Sequence, residues 1–294
     1  MTQVWNVWEG AATLGEGPVW DTQRNQLWFV DIKQRKIHRF DPCAKAVRSW
    51  DAPGQIGWVL PAADGTLIAG LQQGLARFDP NDGSFEVFAE VEPEQPSNRL
   101  NDATVGPDGT IWFGSMDDGE ENDSGRFYRW NGKSVRPVDL EPVCITNGPA
   151  LSPDGRKLYH VDTAGGVINV ATLDEAGKVL ENREFARIDP ADGHPDGCIV
   201  DSRGNVWVGL WGGWRARLYS PDGTVLQEVK LPASNVTKIA LGGKDLTTAY
   251  ATTARAGLSE EELAGQPEAG SLFAFKVDVP GLCIQPANVA TSVN

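Results

Sequence analysis

Four side chains stand out by type and by place. Glu16, Asn101, Asn147 and Asp196 each lie ten or eleven positions before the first residue of a short apolar run, at Leu27, Ile111, Leu158 and Val206. Ile56 and Lys238 stand at the matching offsets from Leu67 and Ala249. Two carboxylates with amide oxygens, and no thiolate, suit a hard or borderline divalent cation: calcium, magnesium, manganese, zinc or iron(II). Carboxylates brought together repel unless a cation stands between them. Asp196, in His194-Pro195-Asp196-Gly197-Cys198-Ile199-Val200, is the sharpest case, an acid on the leading edge of a strand. It is a candidate metal ligand and base. Lys238 at the same depth would neutralise the site or touch substrate. Asn-Gly and Asp-Gly can also be plain turns, as Pro-Asp-Gly is at 107–109, 153–155 and 221–223. Those turns precede a second strand or follow a third, whereas 195–197 precedes a first.

Scattered residues meet only if the chain brings them to one axis, and the repeat supplies one. Apolar runs begin at Leu27, Leu67, Ile111, Leu158, Val206 and Ala249, spaced by 40, 44, 47, 48 and 43 residues. That is the period of a four-stranded propeller blade. Asp-Gly or Arg-Gly turns precede most of the runs, and a third strand follows, as at 36–40, 75–78, 126–130 and 217–219. Six units predict an all-β fold, a six-bladed β-propeller whose first strands line a central channel. The alternating Val4-Trp5-Asn6-Val7-Trp8 is expected to close the ring as the outer strand of the last blade, beside 271–277. Residues 258–263 read as the one short helix. No linker interrupts the chain, so residues 1–294 are expected to form a single domain.

Bulk properties narrow the function. A net charge of −14 repels phosphate backbones and anionic membranes, which argues against nucleic-acid and membrane partners. No apolar stretch is long enough for a transmembrane helix. The N-terminus carries no basic region followed by an apolar run, so no signal peptide is expected. Four dispersed cysteines, Cys43, Cys144, Cys198 and Cys283, form no C-x-x-C pair and read as free thiols in a cytoplasmic protein. Three histidines are too few for a His-rich zinc cluster. His160 reads as a core histidine, His38 as an outer-strand residue, and His194 as a candidate at the pocket mouth. Trp211 and Trp214 lie toward the channel face and could stack on a sugar. No phosphate loop or Ser-His-Asp order is present.

The ordered set 14–20 (Leu-Gly-Glu-Gly-Pro-Val-Trp), Arg99-Leu100-Asn101-Asp102, Ile145-Thr146-Asn147-Gly148 and Pro195-Asp196-Gly197 resembles the regucalcin/gluconolactonase family of sugar lactonases. So do Val236-Thr237-Lys238, Thr252-Thr253-Ala254-Arg255 and 266–270. With Trp211-Gly212-Gly213 and the loop 118–122, the chain looks most like the bacterial aldonolactonases, xylonolactonase among them. The resemblance implies a six-bladed propeller with one divalent cation on the axis. Position by position, it implies metal ligands at Glu16, Asn147 and Asp196, and substrate-holding residues at Arg99 and Asn101. A further acidic residue near the mouth falls on Glu120 or Glu121, in a loop that reads equally as a solvated acidic turn.

The implied reaction is hydrolysis of a sugar lactone to its aldonic acid by a monomer. A pentonolactone such as xylonolactone or arabinonolactone is expected, with gluconolactone or galactonolactone as alternatives. Asp196 would serve as general base or as ligand only. Two other readings use the same scaffold: phosphotriester hydrolysis, and a regucalcin-like calcium-binding propeller without turnover.

Overall fold

A computed structural model describes residues 2–72 and 74–289. The ends of the expected domain, Met1 and residues 290–294, lie outside the described residues, as does Gln73. Six four-stranded antiparallel sheets stand in a ring. Their innermost strands are Gly15–Asp21, Ile56–Pro61, Asn98–Val105, Thr146–Leu151, His194–Val200 and Asn235–Gly242. Each touches the next, and the sixth touches the first. The expected six-bladed propeller is therefore the observed fold. Its sixth blade is completed as expected: Val4–Trp8 pairs antiparallel with Leu272–Lys276.

The burial pattern explains why these segments are strands. Second strands are covered by neighbouring blades on both faces, so they read as near-continuous apolar runs, whereas the equally buried inner strands carry the polar residues of the hub. Outermost strands alternate or are largely exposed, as in Ala46–Asp51. The many aromatic residues sit where blades meet. At least one aromatic pair bridges each junction, among them Trp50–Phe78, Trp58–Phe113, Phe127–His160, Phe185–Tyr219, Trp207–Phe275 and Trp20–Tyr250, with centroids 5.2–5.9 Å apart. Such pairs favour offset or edge contacts and stiffen the ring. His160 takes part in one and meets the Asn182 amide oxygen, as a core histidine should. His38 lies on a third strand, not an outer one. It is buried between Trp8 and Phe29 against Ser49, and burial, reinforced by the Lys36 charge, lowers its pKa to about 4.

One irregularity recurs in all six blades. The register of each innermost strand shifts by one residue against its neighbour, between Glu16 and Val19, Ile56 and Trp58, Leu100 and Ala103, Asn147 and Pro149, Pro195 and Cys198, and Val236 and Ile239. A bulge of this kind bends the strand and re-aims one side chain. Gly17 and Gly148 adopt positive φ there, at 55° and 37°, conformations that suit glycine. The strand starts beside the bulges form one face of the ring.

Across the opposite face runs a strap. Gly281 bridges Asp201, Ala287 bridges Ala62, and the Asn288 N–H donates to the Gly109 carbonyl. Residues 282–285 lie over the far ends of the inner strands. The expected helix spans Glu260–Gly265, capped by Ser259 in a capping box with Glu262. A 3-10 turn at Pro190–Asp192 was not anticipated. No helix among the described residues is long and apolar enough to cross a membrane, and all four cysteines are free thiols.

Deleting residues 2–8 strips the outer strand from the sixth blade and exposes the edge of 272–276. The thermal midpoint is expected to fall by at least about 5 °C, with aggregation on size-exclusion chromatography. Unchanged melting would show that the blade stands without it.

Candidate metal centre

The bulges turn Glu16, Asn101, Asn147 and Asp196 toward one cavity of about 450 Å³ at the hub. All four are buried. The same cavity is lined by Arg99, Glu120, Lys33, Thr163 and His194, with Leu14, Met116, Ile145 and Trp211 as apolar walls. The residues expected to hold metal or substrate, Glu16, Arg99, Asn101, Glu120, Asn147 and Asp196, therefore line one space. Glu120, not Glu121, is the acidic-loop residue that reaches it, and its φ of 59° is left-handed. Trp211 lines the cavity, whereas Trp214 lies in a neighbouring one.

Two expected positions are corrected by register. Trp20 pairs with Leu27, whereas Leu241 pairs with Ala249 and Pro61 with Leu67. Relative to the first blade, the hairpin is one residue longer in the sixth and one shorter in the second, third and fifth, so an offset of eleven overshoots in the second and falls short in the sixth. Thr237 and Gly57 therefore stand at the level of Glu16, not Lys238 and Ile56. Ile56 is a fully buried core residue. Lys238 lies one step deeper and does not line the cavity. Its ammonium donates to Asp102 Oδ1 at 2.5 Å and to the Ala103 carbonyl at 3.1 Å. It neutralises the hub from behind rather than reaching for substrate.

That ion pair joins the third blade to the sixth, across the ring. Asp102 Oδ2 also accepts the Gly148 N–H at 3.0 Å, which fixes the bulge beside Asn147. A Cβ on Gly197 would come within 2.6 Å of the Lys238 stem, so that stem backs the bulge beside Asp196. Asp102 was missed in the sequence. A buried lysine at the hub requires a carboxylate, and the Asn101-Asp102 pair was the available signal.

The amide donors are held by a chain of hydrogen bonds. Asn101 Nδ2 donates to the Thr146 carbonyl at 2.7 Å and to Asn147 Oδ1 at 3.1 Å. Asn147 Nδ2 donates to Thr163 Oγ1, which fixes its oxygen toward the hub side. Arg99 Nη1 donates to Asn101 Oδ1 at 2.6 Å, and Arg99 Nε to Asp118 Oδ1 at 2.7 Å. Asp118 also accepts from Lys33 and Gln55. Burial raises the Asp118 pKa, but the Gln55 and Lys33 donations and the Arg99 charge outweigh it and hold the group at about 2. Asp118 and Lys33 were also missed, because their partners come from separate blades.

The carboxylates behave oppositely. Burial, reinforced by the Asp102 charge, pushes Glu16 up to about 8, against the Gly17 N–H that donates to its Oε2. Burial and the Glu16 and Asp102 charges raise Asp196 well above the usual carboxylate range. Asp196 Oδ1 is buried without a hydrogen-bond partner among the described residues. Such an orphaned oxygen carries a desolvation cost that a cation removes. Two carboxylates and the Asn147 oxygen are hard donors, so the residues present fit one divalent cation. Among the described residues no group of three or more His, Cys, Asp and Glu could hold a metal, in keeping with a mixed carboxylate–amide set.

An oxygen-lined pocket at the hub of a six-bladed β-propeller defines the class. The chain belongs to the SMP-30/gluconolactonase/LRE-like family, whose model matches residues 14–255. It is 36% identical over 278 residues to the 6-deoxy-6-sulfogluconolactonase of Pseudomonas putida, covering 94% of each chain. It is 36% identical over 274 residues to the L-arabinolactonase of Azospirillum brasilense, covering 92% of this chain and 90% of that one. Among solved structures, the calcium-binding protein regucalcin of Agrobacterium tumefaciens str. C58 matches with a TM-score of 0.92 at 25% identity, over 99% of this chain and 98% of that one.

Two outcomes test the electrostatics. Lys238→Met leaves Asp102 buried and unpaired, and should cost about 3–5 kcal/mol in denaturant unfolding, most of it recovered in Asp102→Leu/Lys238→Met. Without a cation, Glu16 ionises in the unfolded chain near 4.5 but in the folded chain only near 8. Chelated protein should therefore lose stability as pH rises from about 4.5 to about 8, on the order of 1.4 kcal/mol per unit for that group. Glu16→Gln should flatten the slope in thermal melts; a slope unchanged in that variant would remove Glu16 as its source.

Proposed function

We propose that this protein hydrolyses an aldonolactone, a pentonolactone such as arabinonolactone or xylonolactone first among them, with one divalent cation held by Glu16, Asn147 and Asp196. The protein is a hydrolase of the sugar-lactonase type, as its family membership and its two lactonase relatives at 36% identity indicate. The L-arabinolactonase relative favours a pentonolactone. The observation that carries the metal-assisted reading is the unpartnered, buried Asp196 Oδ1 in an oxygen-lined cavity.

When bound, the cation supplies polarisation of the lactone carbonyl and stabilises negative charge developing on its oxygen. The remaining work falls to side chains. Arg99 uses Nε on Asp118 and Nη1 on Asn101 and the Leu100 carbonyl, which leaves Nη2 for sugar hydroxyls or the ring oxygen. Asn101 has both amide hydrogens committed, so it orients Arg99 and Asn147 and offers substrate only a carbonyl lone pair. Glu120 at the mouth accepts from a hydroxyl. The Asp196 carboxylate oxygen not given to the cation accepts the proton of the attacking water, and that proton passes to the ring oxygen as the acyl C–O bond breaks. Leu14, Met116, Ile145 and Trp211 limit water access to the polar floor. The protein acts as a cytoplasmic monomer on a small-molecule lactone in this reading.

A pH-stat assay on arabinono-, xylono-, galactono- and gluconolactone tests it, with chelated enzyme and single metals restored. Activity should vanish on chelation and return with one or more divalent ions. Asp196→Ala should lower kcat by about 10²-fold or more while the fold survives. Turnover indifferent to chelation would sink the metal-assisted mechanism. Metal binding without turnover of any lactone would instead support the calcium-binding reading.

A further inference from the structure

A second cavity, of about 470 Å³, adjoins the hub cavity. The two share Trp211, Ala256 and Gly257 as common wall. At Gly257 that wall carries no side chain and the space over its Cα is open, as it is over Gly212, which lines the second cavity beside Trp211. The two cavities are thus contiguous at Gly257, where a ligand seated at the hub meets no side chain.

The construction of this second cavity points to a ligand. Trp214 lines it and is 43% exposed, presenting an aromatic face to the cavity. Its φ of 58° is left-handed, a conformation that disfavours a bulky side chain. Strain held at an exposed aromatic is a mark of function. The backbone is locked into it: the Trp214 N–H donates to the Ser234 carbonyl at 3.0 Å, and the Trp214 carbonyl accepts the Leu231 N–H at 2.9 Å. Among the described residues neither Trp211 nor Trp214 forms an aromatic pair or uses its indole N–H.

The floor is polar and rigid. Buried Asn235 accepts the Gly212 N–H and donates to the Ala256 carbonyl, tying the two sides of the partition together. Gln266 is 97% buried and accepts the Ser234 N–H through Oε1. Its amide nitrogen has no partner among the described residues, yet the residue lines the cavity. A flat aromatic face, an unused amide donor and two free indole N–H groups match a pyranose ring, which has an apolar face and a hydroxylated rim.

We propose that this cavity is a glycosyl subsite, so that the substrate class extends to aldonolactones bearing a second sugar, the lactone ring at the hub and the glycosyl ring on Trp214. This deepens the lactonase reading and rests on it. No covalent step is added.

Two measurements test the subsite. The first compares kcat/KM for cellobionolactone and maltobionolactone with that for gluconolactone. At least one glycosylated lactone should gain about tenfold, mainly in KM. Trp214→Ala should erase that gain and leave gluconolactone hydrolysis unchanged. The second is calorimetric titration with cellobiose and with maltose, which needs no turnover. Wild type should bind one of them and Trp214→Ala neither. Trp214→Gly, which relieves the left-handed strain, should melt at a higher temperature than wild type while losing the same binding. Gluconolactone turnover with no glycosyl advantage, and no disaccharide heat, would overturn the subsite and leave the lactonase reading standing. Disaccharide binding that requires Trp214, with no lactone hydrolysed, would uphold the subsite and bring down the lactonase reading.

Discussion

Two carboxylates, Glu16 and Asp196, are buried at the hub of the ring with a third, Asp102, beneath them. The ammonium beside them, from Lys238, is spent on Asp102. Negative charge thus exceeds positive charge in a space shielded from water, and burial drives both hub carboxyls toward their neutral forms. Such an arrangement is stable only if the carboxyls hold protons or share a cation. The rest of the site follows from this constraint. Asn147 adds a neutral oxygen instead of a third hub charge. Arg99 stays near but leans on Asp118, which keeps its guanidinium at the rim.

The constraint also explains why the fold is needed. Side chains from six blades can converge only if each inner strand presents a residue at the same depth. The repeated one-residue bulge supplies that aim, and the aromatic pair at each blade junction keeps the spacing. The Asp102–Lys238 pair then spans the ring under the bulges. A site built this way draws its rigidity from the whole circle rather than from one loop, as precise positioning requires.

Much of this was legible in the sequence. The six apolar runs are second strands, within a residue of where their spacing put them. Glu16, Asn101, Asn147 and Asp196 were found because the hairpin that separates each from its run keeps nearly constant length. In the second blade, whose hairpin matches those of the third and fifth, the offset is ten, and in the sixth it is twelve; an offset of eleven in both made the reading slip: Lys238 for Thr237, and Ile56 for Gly57. Offsets count residues, whereas a strand ladder counts pairs, and a bulge or a longer turn separates the two. Arg99 came only from family resemblance, since nothing in its spacing marks it. Asp102, Asp118 and Lys33 were not legible. Their meaning lies in partners on other blades, and pairwise charge matching across a ring leaves no local pattern. Trp214 was read as facing the channel because it follows Trp211 closely. A turn with left-handed backbone at 214 carries it into the adjacent cavity.

The strap at 281–289 has a consequence for traffic. Residues 282–285 cover a separate cavity at the far ends of the inner strands that shares no lining residue with the hub cavity, so the hub cavity is a cul-de-sac rather than a tunnel. Entering lactone and departing acid must pass the same doorway, beneath Lys33, Glu120 and His194. An anionic product that lingers there excludes the next molecule, so egress competes directly with entry.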